Sequence, residues 1–213
     1  MDLEAPQPLS DQHRTAGFDC GDTSLNHWLQ QRALANQRSG ATRTFAVCDG
    51  DGAVKAYVAL ASGAVSLLAS PGRFRRNMPD PIPVVVLARL VVCSSVHGQG
   101  LSRALLADAF ERVLQASEQI GVRGILVHAA SATARSFDLH TGFDPSPTDL
   151  NTLLLRLTDV AAAPTSTAPR PRSRSIPRAT LRASSAAASI QSGNIGSRTA
   201  SLSAPFMHTV HQP

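Results

Sequence analysis

The sequence predicts an α/β (α+β) domain, in which a mixed sheet is flanked by helices, followed by a disordered C-terminal tail. Apolar residues recur with strand or helix period up to about residue 160, and two nearly continuous apolar runs, 82–92 and 124–130, are typical of buried central strands. Beyond that point Ala, Ser, Thr, Pro and Arg dominate without any period, and such a segment buries too little apolar surface to fold. We therefore divide the chain into a domain at 1–160 and a tail at 161–213.

The predicted elements of the domain follow one another as helix, hairpin, strand, helix, strand, helix and strand. Asp22 or Thr23 is a suitable N-cap for the first helix, and Asp49-Gly50-Asp51-Gly52 is a strong hairpin turn. The proline-rich segment at 69–83 predicts a loop or a broken helix. In chain order the elements cover 23–39, 44–47, 54–60, 82–92, 101–119, 124–130, 132–140 and 152–157.

The net charge of +5 belongs to the tail. Six of the 20 basic residues and none of the 15 acidic residues lie beyond residue 160, so the domain is nearly neutral. An arginine-rich tail is typical of a nucleic-acid-binding arm; the alternative is a functionless extension, for instance from a shifted reading frame. The arginines are spread out with no interleaved aromatic residues, which slightly favours the extension.

No apolar run approaches the length of a membrane span, which is about 18 residues. The acidic, proline-rich start lacks the positive region and apolar stretch of a signal peptide, so we expect a cytoplasmic protein with no membrane contact. Three widely spaced cysteines indicate neither a disulfide framework nor a zinc site. The spacing of His97, His128 and His140 does not suit a metal either, so we predict no metal and assign these histidines to the surface or the core.

The segment with the most chemical content is the strand–turn–helix at 84–106. The strand enters a turn that contains Gly98 and Gly100, and this turn opens a helix. Unpaired N–H groups and the helix dipole bind anions at such a helix start, and glycines allow a phosphate to approach the main chain. The spacing fits neither a P-loop nor the full dinucleotide fingerprint. On this evidence alone, a phosphate site and a plain connection are equally good interpretations.

The turn resembles the pyrophosphate loop of the GCN5-related N-acetyltransferase (GNAT) family, whose pattern is Gln/Arg-x-x-Gly-x-Gly/Ala. The chain has His97 where Gln or Arg is usual, keeps the central Gly100, and has Ser102 where Gly or Ala is usual. Over about 8–158 it also resembles the acetyltransferase toxins of type II toxin–antitoxin systems. The matching stretches include Phe18-Asp19-Cys20-Gly21, Pro81-Ile82-Pro83-Val84, Ala88-Arg89-Leu90-Val91-Val92, Leu126-Val127-His128-Ala129 and Gly142-Phe143.

The resemblance implies the GNAT fold, with a mostly antiparallel sheet, and direct acetyl transfer from acetyl-CoA to an amine. In the toxin branch the amine belongs to aminoacyl-tRNA, and its acetylation stops translation. A ribbon-helix-helix antitoxin and often a homodimer accompany the toxin. The resemblance assigns cofactor contacts to a strand, to the loop and to one helix residue: Leu90, Val91 and Val92; His97, Gly98, Gln99, Gly100, Leu101 and Ser102; and Phe137.

Arginines are the candidates for contact with a tRNA, because a tRNA is a polyanion. The cluster Arg73, Arg75 and Arg76 is the strongest of them; its other interpretation is a solvated surface. Arg89 lies inside an apolar strand, and the toxin branch carries an arginine there. Substrate contact is therefore expected for Arg89, with a structural ion pair or an edge position as the alternative.

One departure concerns the general acid, which in this family is a tyrosine before Gly-Phe. Here Asp138 occupies that position, between Phe137 and Gly142-Phe143. An aspartate is ordinarily ionised at neutral pH and then has no proton for a leaving thiolate, whereas burial favours the protonated form. Asp138 is therefore the candidate catalytic residue, or it marks a weakened enzyme.

Three functions remain open at this stage. The first is a translation-blocking toxin that acetylates aminoacyl-tRNA. The second is an acetyltransferase for small-molecule or protein amines with the same fold. The third is a decayed, non-catalytic copy that still binds CoA or the antitoxin.

Overall fold

The computed structural model describes residues 2–162. The predicted tail, from residue 163 onward, lies outside the described residues and stays a prediction. Seven strands, six α-helices, a π-helical segment and a short 3-10 helix (Ser94–Val96) make up the described part. The strands are β1 (Gln7–Pro8), β2 (Arg43–Cys48), β3 (Val54–Val65), β4 (Ile82–Val92), β5 (Gly124–His128), β6 (Asp144–Pro145) and β7 (Thr152–Arg156). The helices are α1 (Thr23–Trp28), α2 (Leu34–Ser39), α3 (Gly72–Arg75), α4 (Leu101–Ser117), α5 (Ala132–His140) and α6 (Leu157–Ala162).

The strands form one sheet in the order β1-β2-β3-β4-β5-β7-β6. Only β4 and β5 run parallel; every other neighbouring pair is antiparallel. A parallel pair needs a crossover connection, and here α4 supplies it. The mixed, mostly antiparallel sheet with flanking helices confirms the predicted fold class.

The first predicted helix is continuous from Thr23 to Ser39. The Asp22 carboxylate accepts hydrogen bonds from the N–H groups of Ser24 and Leu25, which satisfies two donors at the helix start. Between α1 and α2 the chain forms a π-helical segment, Leu29–Ala33. Such inserted turns are rare and frequently lie at functional sites.

Neighbouring residues of β2 show which helices cover each face of the sheet. The Arg112 guanidinium of α4 lies 3.9 Å from the ring centroid of Phe45. The next residue, Ala46, pairs with Tyr57, whose ring stacks on Trp28 of α1 at 5.8 Å. Because successive strand residues point to opposite faces, α4 covers one face and α1 the other. We call these the α4 face and the α1 face.

A second, smaller apolar cluster lies on the α1 face beneath α3. Its buried members are Val65, Phe74, Ile82, Val84, Leu126 and Leu154. The Arg123 guanidinium donates hydrogen bonds to the carbonyl oxygens of Phe74 and Arg73, at 2.9 and 3.2 Å. These bonds satisfy carbonyl groups of α3 and fix this short helix over the start of β4 and β5.

The predicted elements are confirmed where a long apolar run or a turn signal marked them. The strand β3 is longer than predicted, because 61–65 continue its ladder with β4. Sequence reasoning missed β1, β6 and α6, which are two, two and six residues long. The helix α6 ends at Ala162, beyond the domain end predicted at 160.

We expect Gly124→Ala to destabilise the protein by about 2 kcal/mol or more. A Cβ atom there would overlap the carbonyl oxygen of Leu155 and lie 2.6 Å from a ring carbon of Phe74. Urea denaturation followed by circular dichroism measures the change. The matched control is Gly121→Ala, where nothing lies within 4 Å and a shift within about 0.5 kcal/mol is expected. Equal midpoints for the two variants would contradict the packing.

Candidate active site

The site begins where β4 and β5 separate. Their parallel register ends with the pair Leu87 and Val127. In the ladder of β4 with β3, Leu87 pairs with Leu60 and Arg89 with Ala59, so Ala88 is an extra residue. This β-bulge bends the strand and increases its local twist. Beyond it, residues 89–92 keep their register with β3 and have none with β5 in the described part of the chain.

The separation leaves a row of main-chain donors and acceptors along one edge of β4. Three of the predicted cofactor residues, Leu90, Val91 and Val92, lie on this edge with side chains at most 3% exposed. Since those side chains are in the core, only their backbone groups are available to a ligand. An extended amide-containing chain fits such an edge as an added strand would.

The turn after β4 has the conformation that its glycines predict. Gly98 and Gly100 have φ angles of +74° and +75°, which side chains with a Cβ atom rarely adopt. A Cβ at either position would meet nothing within 4 Å, so the backbone angle, not crowding, requires glycine. Gly100 is the N-cap of α4 and contributes no side-chain cap. The first N–H groups of α4 therefore have no side-chain cap, which is the arrangement that the predicted anion site needs.

Other residues of the loop support that helix start. The Nε2 atom of His97 lies 3.0 Å from the carbonyl oxygen of Val92, which ties the turn to the end of β4. Ser102 is buried, whereas Gln99 and Arg103 are exposed and Leu101 is half-buried. Sequence reasoning missed Arg103, whose positive charge lies in the first turn of α4, next to the predicted phosphate position.

Asp138 lies in α5, and its side chain is fully buried. Its main-chain carbonyl accepts hydrogen bonds from the N–H and the hydroxyl of Thr141 and from the N–H of Phe143. The Phe143 ring in turn lies 6.1 Å from the Phe110 ring of α4. These contacts fix the end of α5 beside α4. Phe137, the predicted cofactor neighbour, packs against the main core.

Arg89 lies directly after the bulge, on the α1 face. Its guanidinium carbon is 4.0 Å from the ring centroid of Trp28, which stacks on Tyr57. Such a cation–π contact fixes the position of the guanidinium. Burial lowers the pKa of Arg89. Its Nε atom is buried with no hydrogen-bond partner among the described residues. The alternative of a structural ion pair is not seen among those residues, and the unsatisfied donor favours the predicted substrate contact.

The predicted cluster Arg73, Arg75 and Arg76 lies at the opposite end of β4 from the loop. All three arginines are exposed, and the Arg73 guanidinium donates hydrogen bonds to the carboxylates of Asp144 and Asp159, each at 2.9 Å. A surface cavity of about 440 Å³ beside α3 is lined by four arginines and three other residues: Arg73, Arg76, Arg123, Arg156, Gly72, Asn77 and Met78.

A chain of hydrogen bonds joins three residues that sequence reasoning did not connect. The Nδ1 atom of His128 lies 2.9 Å from the hydroxyl oxygen of Thr152, which donates to the Asp149 carboxylate at 2.6 Å. Strand alternation could have placed His128 on the α1 face. No sequence signal pairs it with a threonine 24 residues later.

The structure thus brings the predicted cofactor residues of β4 and the loop together at one end of the sheet. Arg89 lies on the same edge of β4, whereas Arg73, Arg75 and Arg76 do not. Within residues 2–162 no group of three His, Cys, Asp or Glu side chains could hold a metal ion. No helix in that range has the length and apolar character to span a membrane. The three cysteines are buried free thiols.

Comparison with known proteins gives close relatives, although no family model matches the chain. A tRNA-acetylating toxin of Mycobacterium tuberculosis is 47% identical over 158 residues, which cover 74% of this chain and 95% of the relative. The fold is similar to that of AtaT complexed with acetyl-methionyl-tRNAfMet, with a TM-score of 0.71 and 28% identity over 76% of this chain and 98% of AtaT.

A further solved structure is an AtaT mutant toxin bound to acetyl-CoA and to the C-terminus of the antitoxin AtaR. It has a TM-score of 0.64 and 27% identity to this chain, over 76% of this chain and 97% of that one. The resemblance deduced from the loop and its flanking strands is confirmed by these relatives. The chain belongs to the GCN5-related N-acetyltransferase family, among the acetyltransferase toxins of type II toxin–antitoxin systems.

Proposed function

We propose that the chain transfers the acetyl group of acetyl-CoA to the amino group of an aminoacyl-tRNA and thereby blocks translation. The observation that carries this proposal is the opening between β4 and β5, which ends at a glycine turn and a helix N-terminus. It is supported by the relatives named as a tRNA-acetylating toxin and as AtaT bound to acetyl-methionyl-tRNAfMet. As such toxins act on tRNA, we further propose a cytoplasmic location.

Acetyl-CoA fits the residues present in the opening. The unpaired edge at Leu90, Val91 and Val92 offers backbone groups to the amides of a pantetheine arm. The N–H groups from Gly98 to Ser102 offer donors to the pyrophosphate, where the helix dipole favours negative charge. When bound, acetyl-CoA supplies an acetyl group in a thioester, in which a thiolate is the leaving group. The protein supplies alignment, and the buried Asp138 is its candidate catalytic residue.

The acceptor approaches from the α1 face in this proposal, because Arg89 and α3 both lie on it. Phe74 of α3 packs against Gly124, the partner of Val84 in β4. Arg89 lies five positions after Val84, a distance of about 16 Å along β4. The exposed Arg75 and Arg76 are therefore placed to hold phosphates of an acceptor whose reactive end lies at Arg89.

The partners are proposed by the same reasoning. AtaT binds the antitoxin AtaR, and we propose a ribbon-helix-helix antitoxin and a homodimer for this chain too. The specific alternative is a non-catalytic copy, which the aspartate at the tyrosine position favours. Activity measurements separate that copy from an active enzyme.

The proposed cofactor site makes a prediction for the glycine turn. In Gly100→Ala the positive φ becomes strained by about 1–2 kcal/mol, so the turn relaxes and its N–H groups lose alignment. Isothermal titration should show acetyl-CoA binding weakened about tenfold. The matched control is Gly40→Ala, which has a φ of +79°, equally open space and a position at the end of α2. Unchanged affinity in Gly100→Ala would contradict the assignment of the loop.

The function itself is tested by protein output of a cell-free translation reaction. We expect inhibition that requires acetyl-CoA. Asp138→Asn keeps the shape but removes the carboxyl group of the candidate catalytic residue, so it should lower kcat by about tenfold or more. Its KM for acetyl-CoA should stay unchanged. Wild-type kcat in Asp138→Asn would exclude Asp138 from proton transfer.

If the wild-type protein inhibits in neither condition, the translation-blocking function is wrong. Acetyl-CoA binding and turnover with free amines would then distinguish a small-amine acetyltransferase from a non-catalytic copy. Binding with no turnover of any amine would identify the copy.

The arginine prediction uses the double variant Arg75→Ala/Arg76→Ala. We expect a higher KM for aminoacyl-tRNA, an unchanged kcat and a salt dependence of log KM reduced by about one to two units of slope. The control is Arg14→Ala, which removes an exposed arginine beside the β2–β3 turn. Equal KM values for the control and the double variant would show that the cluster does not bind the tRNA and is a solvated surface.

A further inference from the structure

The hydrogen bonds of His128, Thr152 and Asp149 define where the imidazole carries its proton. A threonine hydroxyl has one hydrogen, and Thr152 donates it to Asp149. The hydrogen bond from Thr152 and one from the N–H of Asn151 lower the pKa of Asp149, so its carboxylate is an acceptor. Thr152 can then only accept from His128. Nδ1 is therefore the protonated nitrogen of the neutral ring, and Nε2 has the lone pair.

His128 lies where a base would be needed. It is the next residue of β5 after Val127, the last residue paired with β4, and so lies opposite the bulge at Ala88. The register also fixes its face. Leu126 pairs with Val86, and Val86 pairs with Ala61, which lies on the same face of β3 as Ala59, the partner of Arg89.

His128, two residues after Leu126, is consequently on the α1 face, across the opening from Arg89. This is the face from which the acceptor approaches in the proposed function. The half-buried ring is held from behind by a buried threonine. A polar group fixed in this way is pre-oriented for proton transfer.

We propose that His128 is the catalytic base that takes the proton from the attacking amine, and that Thr152 and Asp149 are positioning residues that fix its tautomer. This inference rests on the acetyl transfer proposed for the chain. The neutral amine nitrogen forms a bond to the acetyl carbon while the bond from that carbon to sulfur breaks. The electron pair of the broken bond leaves with the sulfur as a thiolate. The proton lost by the nitrogen goes to Nε2 of His128 and then to solvent.

The Asp149 carboxylate has a second effect in this arrangement. When Nε2 takes a proton the ring becomes an imidazolium, and a carboxylate at the other end of the hydrogen-bond chain stabilises that charge. The amine nitrogen gains positive charge as it bonds to carbon, so a base within reach lowers the barrier. The base works irrespective of the acceptor that carries the amine.

The activity test uses His128→Gln and Thr152→Val. We expect His128→Gln to lower kcat about 100-fold, while the KM values for acetyl-CoA and acceptor stay within about twofold of wild type. In the variant His128→Ala, added imidazole should restore part of the rate. Thr152→Val should lower kcat by about tenfold, and Thr152→Ser, which keeps the hydroxyl, should restore it. The matched control is Thr44→Val, since Thr44 is a buried strand threonine whose hydroxyl has no partner in the described residues; it should keep wild-type kcat.

A second measurement does not depend on activity. Nitrogen-15 NMR of the ligand-free protein should show His128 with a protonated Nδ1, and Thr152→Val should lose that preference. A wild-type ring protonated on Nε2 would overturn the proposal. So would an active wild-type enzyme whose kcat is unchanged in His128→Gln. A wild-type protein that acetylates no amine would instead refute the proposed function. The NMR measurement would still show whether Thr152 and Asp149 fix the tautomer of His128.

Discussion

The separation of β4 and β5 after Leu87 and Val127 is the constraint on which the site depends. Two parallel strands in a sheet satisfy each other's backbone groups, and an opening between them leaves those groups unsatisfied. The extra residue Ala88 changes the direction of β4 within its ladder with β3. The open edge, the position of Arg89 beside it and the place of His128 all follow from that one insertion.

The opening also connects the two faces of the sheet. On one side are α4, whose N-terminus is the proposed phosphate site, and the end of α5, which carries the buried Asp138. On the α1 face are Arg89 and His128. In the proposed function, a cofactor in the opening places its phosphates on one side of the sheet and its reactive end toward an acceptor on the other.

The sequence predicted those parts that follow from local pattern. The long apolar run of β4, the hairpin turn and the glycine turn each have a local physical cause, and the structure has all three. The two-residue strands β1 and β6 lack such a cause, because β1 contains Pro8 and β6 contains Pro145, and proline weakens a strand prediction. They exist because a neighbouring strand pairs with them.

Side-chain partners across the chain could not be predicted in the same way. The contacts of Arg89 with Trp28 and of Arg73 with Asp144 join residues 61 and 71 positions apart. The same holds for His128, which the sequence placed on the surface or in the core. Its hydrogen bond to Thr152 depends on β5 pairing with β7, and that pairing is a property of the complete sheet.

The aspartate at position 138 raises the question of which step needs most assistance, the departure of the thiolate or the deprotonation of the amine. A thiol with an ordinary pKa of about 8.5 forms a stable thiolate, so its departure requires little help from an acid. The attacking amine has the greater need, because it must lose a proton while it forms a bond. An acetyltransferase with a fixed imidazole on the acceptor side can therefore tolerate replacement of its usual tyrosine. The Asp149–Thr152–His128 chain thus gives a physical reason why Asp138 need not indicate an inactive protein.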